Sequence, residues 1–276
     1  MHLRDPAHKV PLARVLKQLY GAYNGISGYR EPIATSLGPT CENIREYMES
    51  TRSSDSPVHS AADLDAIYSV RFQNQEAYRR KVWSVLAKYF SRWIPSDAVV
   101  LDLGCGYCEF INQAQCAAKY GMDLNPEARK RASADVRILE QDCSLPWSIP
   151  AASLTTVFTS NFLEHLPTKA HVEETLLHAH RALQSGGRFI AMGPNIKCVP
   201  GAYWDFYDHY VALTELSMKE ILVKCGFHVE VCTERFLPYS MSQGRTYPIW
   251  LLRSYLAFPP IWPAFGKQFL LVASKL

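Results

Sequence analysis

The stretch VVLDLGCGYCEF, from Val99 to Phe110, fits two different kinds of site. Its Cys-x-x-Cys pair, Cys105 and Cys108, has the spacing of a thiol–disulfide site. Its Asp-x-Gly-x-Gly run, Asp102 to Gly106, ends a short apolar strand, as a nucleotide-binding turn does. A thiol–disulfide site does not need the nearby acids, and their negative charges would raise the pKa of a thiol. We therefore interpret the stretch as a nucleotide-binding turn in which both cysteines pack.

The sequence around this turn alternates between seven short apolar runs and stretches with helical spacing. This alternation predicts an α/β fold, a Rossmann-like, seven-stranded, mostly parallel sheet with helices on both faces. Ligands of such sheets bind beyond the carboxyl ends of the strands. The segment directly after the turn, residues 109–119, is predicted to be a helix whose first N–H groups face the ligand.

The composition is that of an ordinary globular protein of 276 residues, 48% hydrophobic and 20% charged. Its net charge of +3 is too small to indicate a nucleic-acid partner. No apolar run reaches the length of a membrane span, and the first ten residues do not resemble a secretory signal. With eight scattered cysteines, these features predict reduced thiols and a cytoplasmic location.

The chain is expected to hold a helical N-terminal extension with a flexible linker, residues 1–63, and one domain, residues 64–276. Within that domain the pattern predicts four parts. They are a lid helix at 64–94, a cofactor-binding core at 97–200, an acceptor-side segment at 195–245 and an apolar C-terminal segment at 246–276.

The acids near the turn indicate the charge of the ligand. Asp123 closes the second strand, where a carboxylate accepts hydrogen bonds from ribose hydroxyls. Glu109 stands where a dinucleotide enzyme usually has a third glycine, and its charge would repel a pyrophosphate. A nicotinamide-dependent oxidoreductase is therefore disfavoured. A cationic nucleoside such as S-adenosylmethionine, with an ammonium, a sulfonium and no phosphate, fits better.

At this point the sequence resembles the class I S-adenosylmethionine-dependent methyltransferases, from about residue 97 to residue 275. The matching stretches are VVLDLGCG, YGMDLNP, LEQDCSLPW, FTSNFLEHLP and HRALQSGGRFIAMGPN. The resemblance implies S-adenosylmethionine as cofactor and assigns residues to its parts. Asp102, Gly104 and Gly106 would line the methionine half, Asp123 and Leu124 the ribose and adenine, Asp142 and Cys143 the adenine amino group, and Asn161 and Phe162 the region of the sulfonium.

The flanking segments show a narrower resemblance, to methyltransferases associated with bacterial polysaccharide, glycolipid or glycosylated natural-product biosynthesis. It is carried by YSVRFQNQEAYRRKVWSVL, PGAYWDFYDHYVALTELS, RFLPYSM and FGKQFLLVASK. It implies a sugar hydroxyl or a related glycan or small-molecule acceptor. In the first of these stretches, Tyr68 and Arg71 would contact the cofactor from the lid helix, or simply pack on the sheet.

A hydroxyl acceptor must lose a proton, and His165, after the fourth strand, is the best candidate general base. It could instead cap a helix or touch the cofactor without moving a proton. His209 is the second candidate base. The aromatic and acidic segment around it suits sugar recognition or, alternatively, an aromatic core under a long loop. Its predicted substrate-binding residues are Asn195, Tyr203, Trp204, Asp205, Tyr207 and Asp208.

The sequence does not predict a metal site, and it leaves open the surroundings of the C-terminal segment and two alternative functions. His178 and His180 point to different faces of a helix, so no metal site is predicted. The apolar C-terminal segment could lie on a membrane surface, on its own domain or on the partner of a homodimer. The function could also be methylation of nitrogen or oxygen on a natural-product scaffold, or that of a catalytically silent binding partner.

Overall fold

A computed structural model describes residues 75–239 and 246–276 and contains one seven-stranded sheet. The strands lie in the order β3-β2-β1-β4-β5-β7-β6, and β7 alone runs antiparallel to its neighbours. Their bounds are β1 Val99–Leu103, β2 Ala118–Met122, β3 Val136–Leu139, β4 Leu154–Ser160, β5 Leu183–Pro194, β6 Phe227–Thr233 and β7 Gln268–Lys275. The predicted fold class is confirmed. Strand order reverses between β1 and β4, which places a ligand crevice at their carboxyl ends.

Helices cover both faces of this sheet. They are α1 Glu76–Phe90, α2 Glu127–Arg131, α3 Lys169–Ala182, α4 Glu215–Lys224, α5 Ile249–Ala257 and α6 Trp262–Phe265. On one face, Phe90 of α1 packs against Phe158 of β4, with ring centroids 5.0 Å apart. On the other face, Leu176 of α3 and Phe189 of β5 belong to a second buried cluster. The inner strands β1, β4, β5 and β7 therefore bury apolar side chains on both sides.

The connection between β1 and β2 differs from the prediction. Residues 109–119 do not form a helix; the chain runs through successive turns, and β2 already begins at Ala118. Cys108 has a φ of 58°, which interrupts a helical path at its start. The adjacent residues Phe110 and Ile111 are both buried in the core on the α1 side. The predicted helix was wrong because the left-handed conformation of Cys108 starts the connection and β2 begins at Ala118, which leaves a short run of turns between them.

Several predictions concern residues outside the described ranges. They are the N-terminal extension, the boundary between residues 63 and 64, and the lid contacts of Tyr68 and Arg71. Of the predicted lid helix, the described part contains α1. In residues 75–239 and 246–276, no helix is long and apolar enough to cross a membrane.

Candidate active site

Four polar positions line the carboxyl edge of neighbouring strands. Asp102 lies in β1, Asp123 directly follows β2, Asp142 follows β3 and Asn161 directly follows β4. The strands that carry them are consecutive in the sheet, and neighbouring strands are spaced by about 4.8 Å. The fold thus collects residues from a 60-residue span of sequence into one row.

The turn after β1 is held by Asp123. The backbone N–H of Gly106 donates to Oδ2 of Asp123 at 2.7 Å, and that of Asn125 donates to Oδ1 at 2.8 Å. Gly104 and Gly106 adopt φ angles of 69° and 49°, which favour glycine. These bonds fix the direction of the turn and set one edge of the crevice.

Phe162 closes over the same turn. A Cβ on Gly104 would lie 2.1 Å from Cγ of Phe162, so the missing side chain makes room for this ring. Asn161 carries the ring there from a left-handed conformation, φ 50°, with its N–H donating to the carbonyl of Met192 at 2.8 Å. The sequence suggested that the lack of a side chain on Gly104 lets a ligand approach the backbone. In this structure the ring of Phe162 approaches Gly104 instead.

The electrostatics of the row favour a cation. Asp102 is only 4% exposed, and burial raises its pKa well above the usual range, with a further rise from the charge of Asp123. Burial also raises the pKa of Asp123, although hydrogen bonds from the Asn125 and Gly106 N–H groups oppose the rise. The charged forms of the buried Asp102 and the partly buried Asp123 are stabilised when a positive group comes between them.

Glu109 contributes less to the negative charge of the crevice than the sequence suggested. Arg79 of α1 donates through Nε to both carboxylate oxygens of Glu109, at 2.8 and 3.0 Å, and the pair is largely buried. The charge of Glu109 is therefore offset by a bidentate ion pair. Its proposed repulsion of a pyrophosphate is correspondingly weakened, and the preference for a cationic ligand depends on Asp102 and Asp123.

The cysteine pair lies beneath this surface. Cys105 and Cys108 are buried free thiols with their sulfurs 3.8 Å apart. The hydrogen bond from Cys108, burial and the nearby aspartates raise the pKa of Cys105 well above its usual value. A thiol–disulfide catalyst needs the opposite shift, because the thiolate is its nucleophile. The geometry agrees with the packing role assigned from the sequence.

The residues predicted to contact the adenine differ in exposure and in the direction of their side chains. Leu124 is exposed at the crevice, and Asp142 is partly buried with Oδ1 accepting from the backbone N–H of Ser144 at 2.8 Å. The side chain of Cys143 instead faces the core, with Sγ 3.4 Å from Oγ1 of Thr175 on α3, and burial raises its pKa to about 12. The place of Cys143 next to Asp142 at the adenine stays a prediction, and its side chain packs against α3.

His165 forms an ordered pair with Asp208. It ends a short 3₁₀ helix, Leu163–His165, and its Nδ1 lies 2.9 Å from the main-chain oxygen and 3.1 Å from Oδ2 of Asp208. An Nδ1–H bonded in this way leaves Nε2 with its lone pair, the arrangement of a base oriented by an acid. When His165 is protonated, its charge opposes the burial-driven rise in the pKa of Asp123.

His209 and Glu164 lie beneath this pair. The ring of His209 is 4.7 Å from that of His165 and is buried between Tyr203 and Phe206. Ligand atoms of Glu164, His165 and His209 lie within 4.8 Å of one another, so these three residues could hold a metal ion. Sequence reasoning missed this convergence, because 43 residues separate the histidines and no spacing motif links them. As a base, His209 is less accessible than His165.

The acceptor-side segment divides into buried and exposed residues. Tyr203 is fully buried, and its hydroxyl donates to the carbonyl of Val211 at 2.5 Å. Asn195 is also fully buried, and its Nδ2 donates to Oε2 of Glu215 at 2.6 Å. Both side chains hold the segment together, and their contact with a substrate stays a prediction. Trp204, Asp205 and Tyr207 are exposed, as a ligand contact requires.

The sheet order and this carboxyl edge are those of the class I S-adenosylmethionine-dependent methyltransferase fold. A family model described as "Methyltransferase domain" matches residues 75–231, more than half of the chain, and the chain belongs to this family. No curated protein matches the sequence significantly.

Solved structures share the fold at low sequence identity. An S-adenosylmethionine-dependent methyltransferase from Archaeoglobus fulgidus is 19% identical with a TM-score of 0.56, over 73% of this chain and 97% of that one. One from Thermotoga maritima is 15% identical with a TM-score of 0.56, over 77% and 100%. A methyltransferase from Haloferax volcanii, in complex with the Trm112 activator, is 17% identical with a TM-score of 0.53, over 78% and 95%.

The residues present fit S-adenosylmethionine, the cofactor of this class. The buried Asp102 would provide negative charge for its ammonium, and the partly buried Asp123 would provide acceptors for its ribose hydroxyls. Leu124 and Asp142 stand at the next strand ends, where the adenine would lie. When bound, the cofactor supplies a methyl group activated as a sulfonium.

Proposed function

We propose that this protein methylates a hydroxyl oxygen of a sugar, on a glycan or a glycosylated small molecule, with His165 as the general base. The observation that carries the proposal is the contact between Nδ1 of His165 and Asp208. A carboxylate partner fixes the tautomer and stabilises the imidazolium that forms when the ring takes a proton. An amine acceptor in its neutral form has less need of such a base.

The chemistry assigned to the chain is positioning and proton transfer. As the oxygen–carbon bond forms and the carbon–sulfur bond breaks, Nε2 of His165 takes the hydroxyl proton, and Asp208 balances the new positive charge. Methyl transfer by in-line displacement depends mainly on holding the oxygen near the methyl group at the correct angle. Phe162, packed on Gly104, would shield this region from water.

Exposed groups near the base support a sugar as acceptor. The residues Trp204 and Tyr207 present aromatic surface, and Tyr207 is 88% exposed. Aromatic rings cover the apolar C–H faces of sugars, and carboxylates such as that of Asp205 accept hydrogen bonds from hydroxyls. These residues belong to the same segment as Asp208, so the segment that orients the base would also contact the acceptor.

The proposal is tested with the full chain, labelled S-adenosylmethionine and a panel of nitrophenyl glycosides, with nitrophenyl-linked primary amines as a second panel. We expect methyl transfer to a glycoside, and a fall in kcat of about 100-fold or more for His165→Asn with unchanged cofactor affinity. His228→Asn, which alters an exposed histidine of β6, is the matched control. Transfer to amines alone, or full activity in His165→Asn, would refute the base. Cofactor binding without turnover on any acceptor would favour a silent binding protein.

A further inference from the structure

The described part of the C-terminal segment, Tyr247 to Lys267, exposes a continuous apolar surface. Trp250, Phe258 and Phe265 are 65%, 60% and 56% exposed, and Leu251 between them is also exposed. On α5, Trp250 and Leu251 share one side of the helix with Ser254 and Ala257, while Leu256 on the opposite side is buried. Phe258 directly follows α5, and Phe265 ends α6. We refer to Trp250, Leu251, Phe258 and Phe265 as the aromatic patch. Large apolar side chains gathered in this way mark an interaction surface.

The charge around the aromatic patch has one sign. From Arg235 to Leu276 the sequence contains five basic residues and no acidic one. Arg253 lies on the exposed side of α5, and Lys267 is exposed shortly after Phe265. The preceding acid, Glu234, lies 3.7 Å from Lys197 and 4.0 Å from Arg235, so it already offsets part of this charge. The basic residues that border the patch are Arg253 and Lys267.

A neighbouring element adds to this charge. Trp262 of α6 packs against Tyr89 of α1, with ring centroids 6.4 Å apart. The guanidinium of Arg92 lies 3.8 Å from the centroid of the same Tyr89 ring. An exposed arginine shortly after the end of α1 therefore contacts the same ring as α6 does.

We propose that the aromatic patch docks this protein onto an anionic lipid surface, with the rings at the depth of the headgroups and the basic residues facing lipid phosphates. Exposed tryptophan and phenylalanine beside lysine and arginine are typical of interfacial binding. The nine-residue α5 and the prolines at positions 259, 260 and 263 suit a segment that lies on a bilayer.

A second copy of the chain is the weaker candidate for this surface. In a two-fold dimer the patch would face itself, so Arg253 and Lys267 would approach the same positive charges. An anionic bilayer accepts both the rings and the charges. The docking depends only on this surface and does not rest on the proposed methyl transfer.

The test measures co-sedimentation of the full chain with vesicles, without any turnover. We expect binding to vesicles of 70% phosphatidylcholine and 30% phosphatidylglycerol, much weaker binding to pure phosphatidylcholine, and weakening by added salt. The variant Trp250→Ser/Phe258→Ser/Phe265→Ser should bind roughly 30-fold or more weakly. Arg253→Glu/Lys267→Glu should lose at least about five-fold for each changed residue.

The matched control is Leu216→Ser/Val223→Ser, which removes two exposed apolar residues from α4. This control should bind as the unchanged protein does, and thermal unfolding should show that all variants fold. Absence of vesicle binding, or equal binding by the triple serine variant, would overturn the proposal. So would a dimer that the triple variant dissociates in the absence of vesicle binding, since the patch would then be an interface between copies. Equal, patch-dependent binding to DNA would also overturn the proposal, because it would show a general affinity for polyanions and not for lipid surfaces.

Discussion

Phe162 occupies the space that a side chain on Gly104 would need, with Cγ 2.1 Å from the position of a Cβ. Gly104 also has a φ of 69°, so an alanine there would be strained in two independent ways. Gly186 offers a natural comparison, because its φ is 77° and no atom lies within 4 Å of its Cβ position.

Gly104→Ala should destabilise the protein more than Gly186→Ala does. We expect a loss of about 1 kcal/mol in the free energy of unfolding for Gly186→Ala, from backbone strain alone. Displacement of Phe162 should raise the loss for Gly104→Ala to about 2–4 kcal/mol. Urea unfolding measures both values. Equal losses in the two variants would show that Phe162 does not rest on Gly104 in solution.

Asp208→Asn should make His165 a weaker general base without abolishing its activity. The change removes the negative charge beside His165 but keeps the main-chain oxygen of residue 208 as an acceptor. We expect kcat to fall about 10-fold or more, with the acidic limb of its pH profile moving to lower pH because the imidazolium is less stabilised. Asp205→Asn, an exposed neighbour, should leave that limb in place. An unshifted limb in Asp208→Asn would contradict the assigned pair.

Cofactor affinity should rise with pH through the raised pKa of Asp102. The ionised carboxylate attracts the ammonium of S-adenosylmethionine and the neutral acid does not, so binding should release at most about one proton from this group. Calorimetry in buffers of different ionisation enthalpy measures that release. Asp102→Asn should abolish most of it, whereas Asp97→Asn, which alters an exposed acid before β1, should not.

The same pKa shift determines a change in stability with pH. The folded protein binds the Asp102 proton more tightly than the unfolded chain does, so without cofactor the free energy of unfolding falls as pH rises from the unfolded pKa through the folded one. Asp102→Asn should therefore be more stable than the unchanged protein at neutral pH while binding cofactor more weakly. Lower stability at neutral pH would argue against this shift.

Cys105 and Cys108 should have no redox role. Because the pKa of Cys105 is raised, both buried thiols should react with iodoacetamide more slowly than the exposed Cys232, as peptide mass spectrometry can show. Cys105→Ala/Cys108→Ala should retain cofactor binding. If a reversible disulfide between them is required for activity, the interpretation of this stretch as a nucleotide-binding turn is wrong.

Much of the fold followed from the sequence, because its signals are local. Each strand is a short apolar run, and acids such as Asp123 come directly after the strand that positions them. The connection after Gly106 was mistaken for a helix, since its spacing does not reveal that Phe110 and Ile111 are both buried. The division of the acceptor segment, with Tyr203 inside and Tyr207 outside, depends on contacts with Val211 and other residues that no sequence period encodes.

Within the acceptor-side segment, the loop between β5 and α4, residues 195–214, is held in place at both ends. Asn195 holds its start through Glu215, and the N–H of Ile196 donates to the carbonyl of Leu213 at 3.1 Å, close to its end. The outer residues, Trp204 and Tyr207, can therefore be exchanged without disturbing either anchor. Selection could remodel the choice of acceptor on this loop while leaving cofactor chemistry untouched, which makes the segment a natural point for diversification and for redesign.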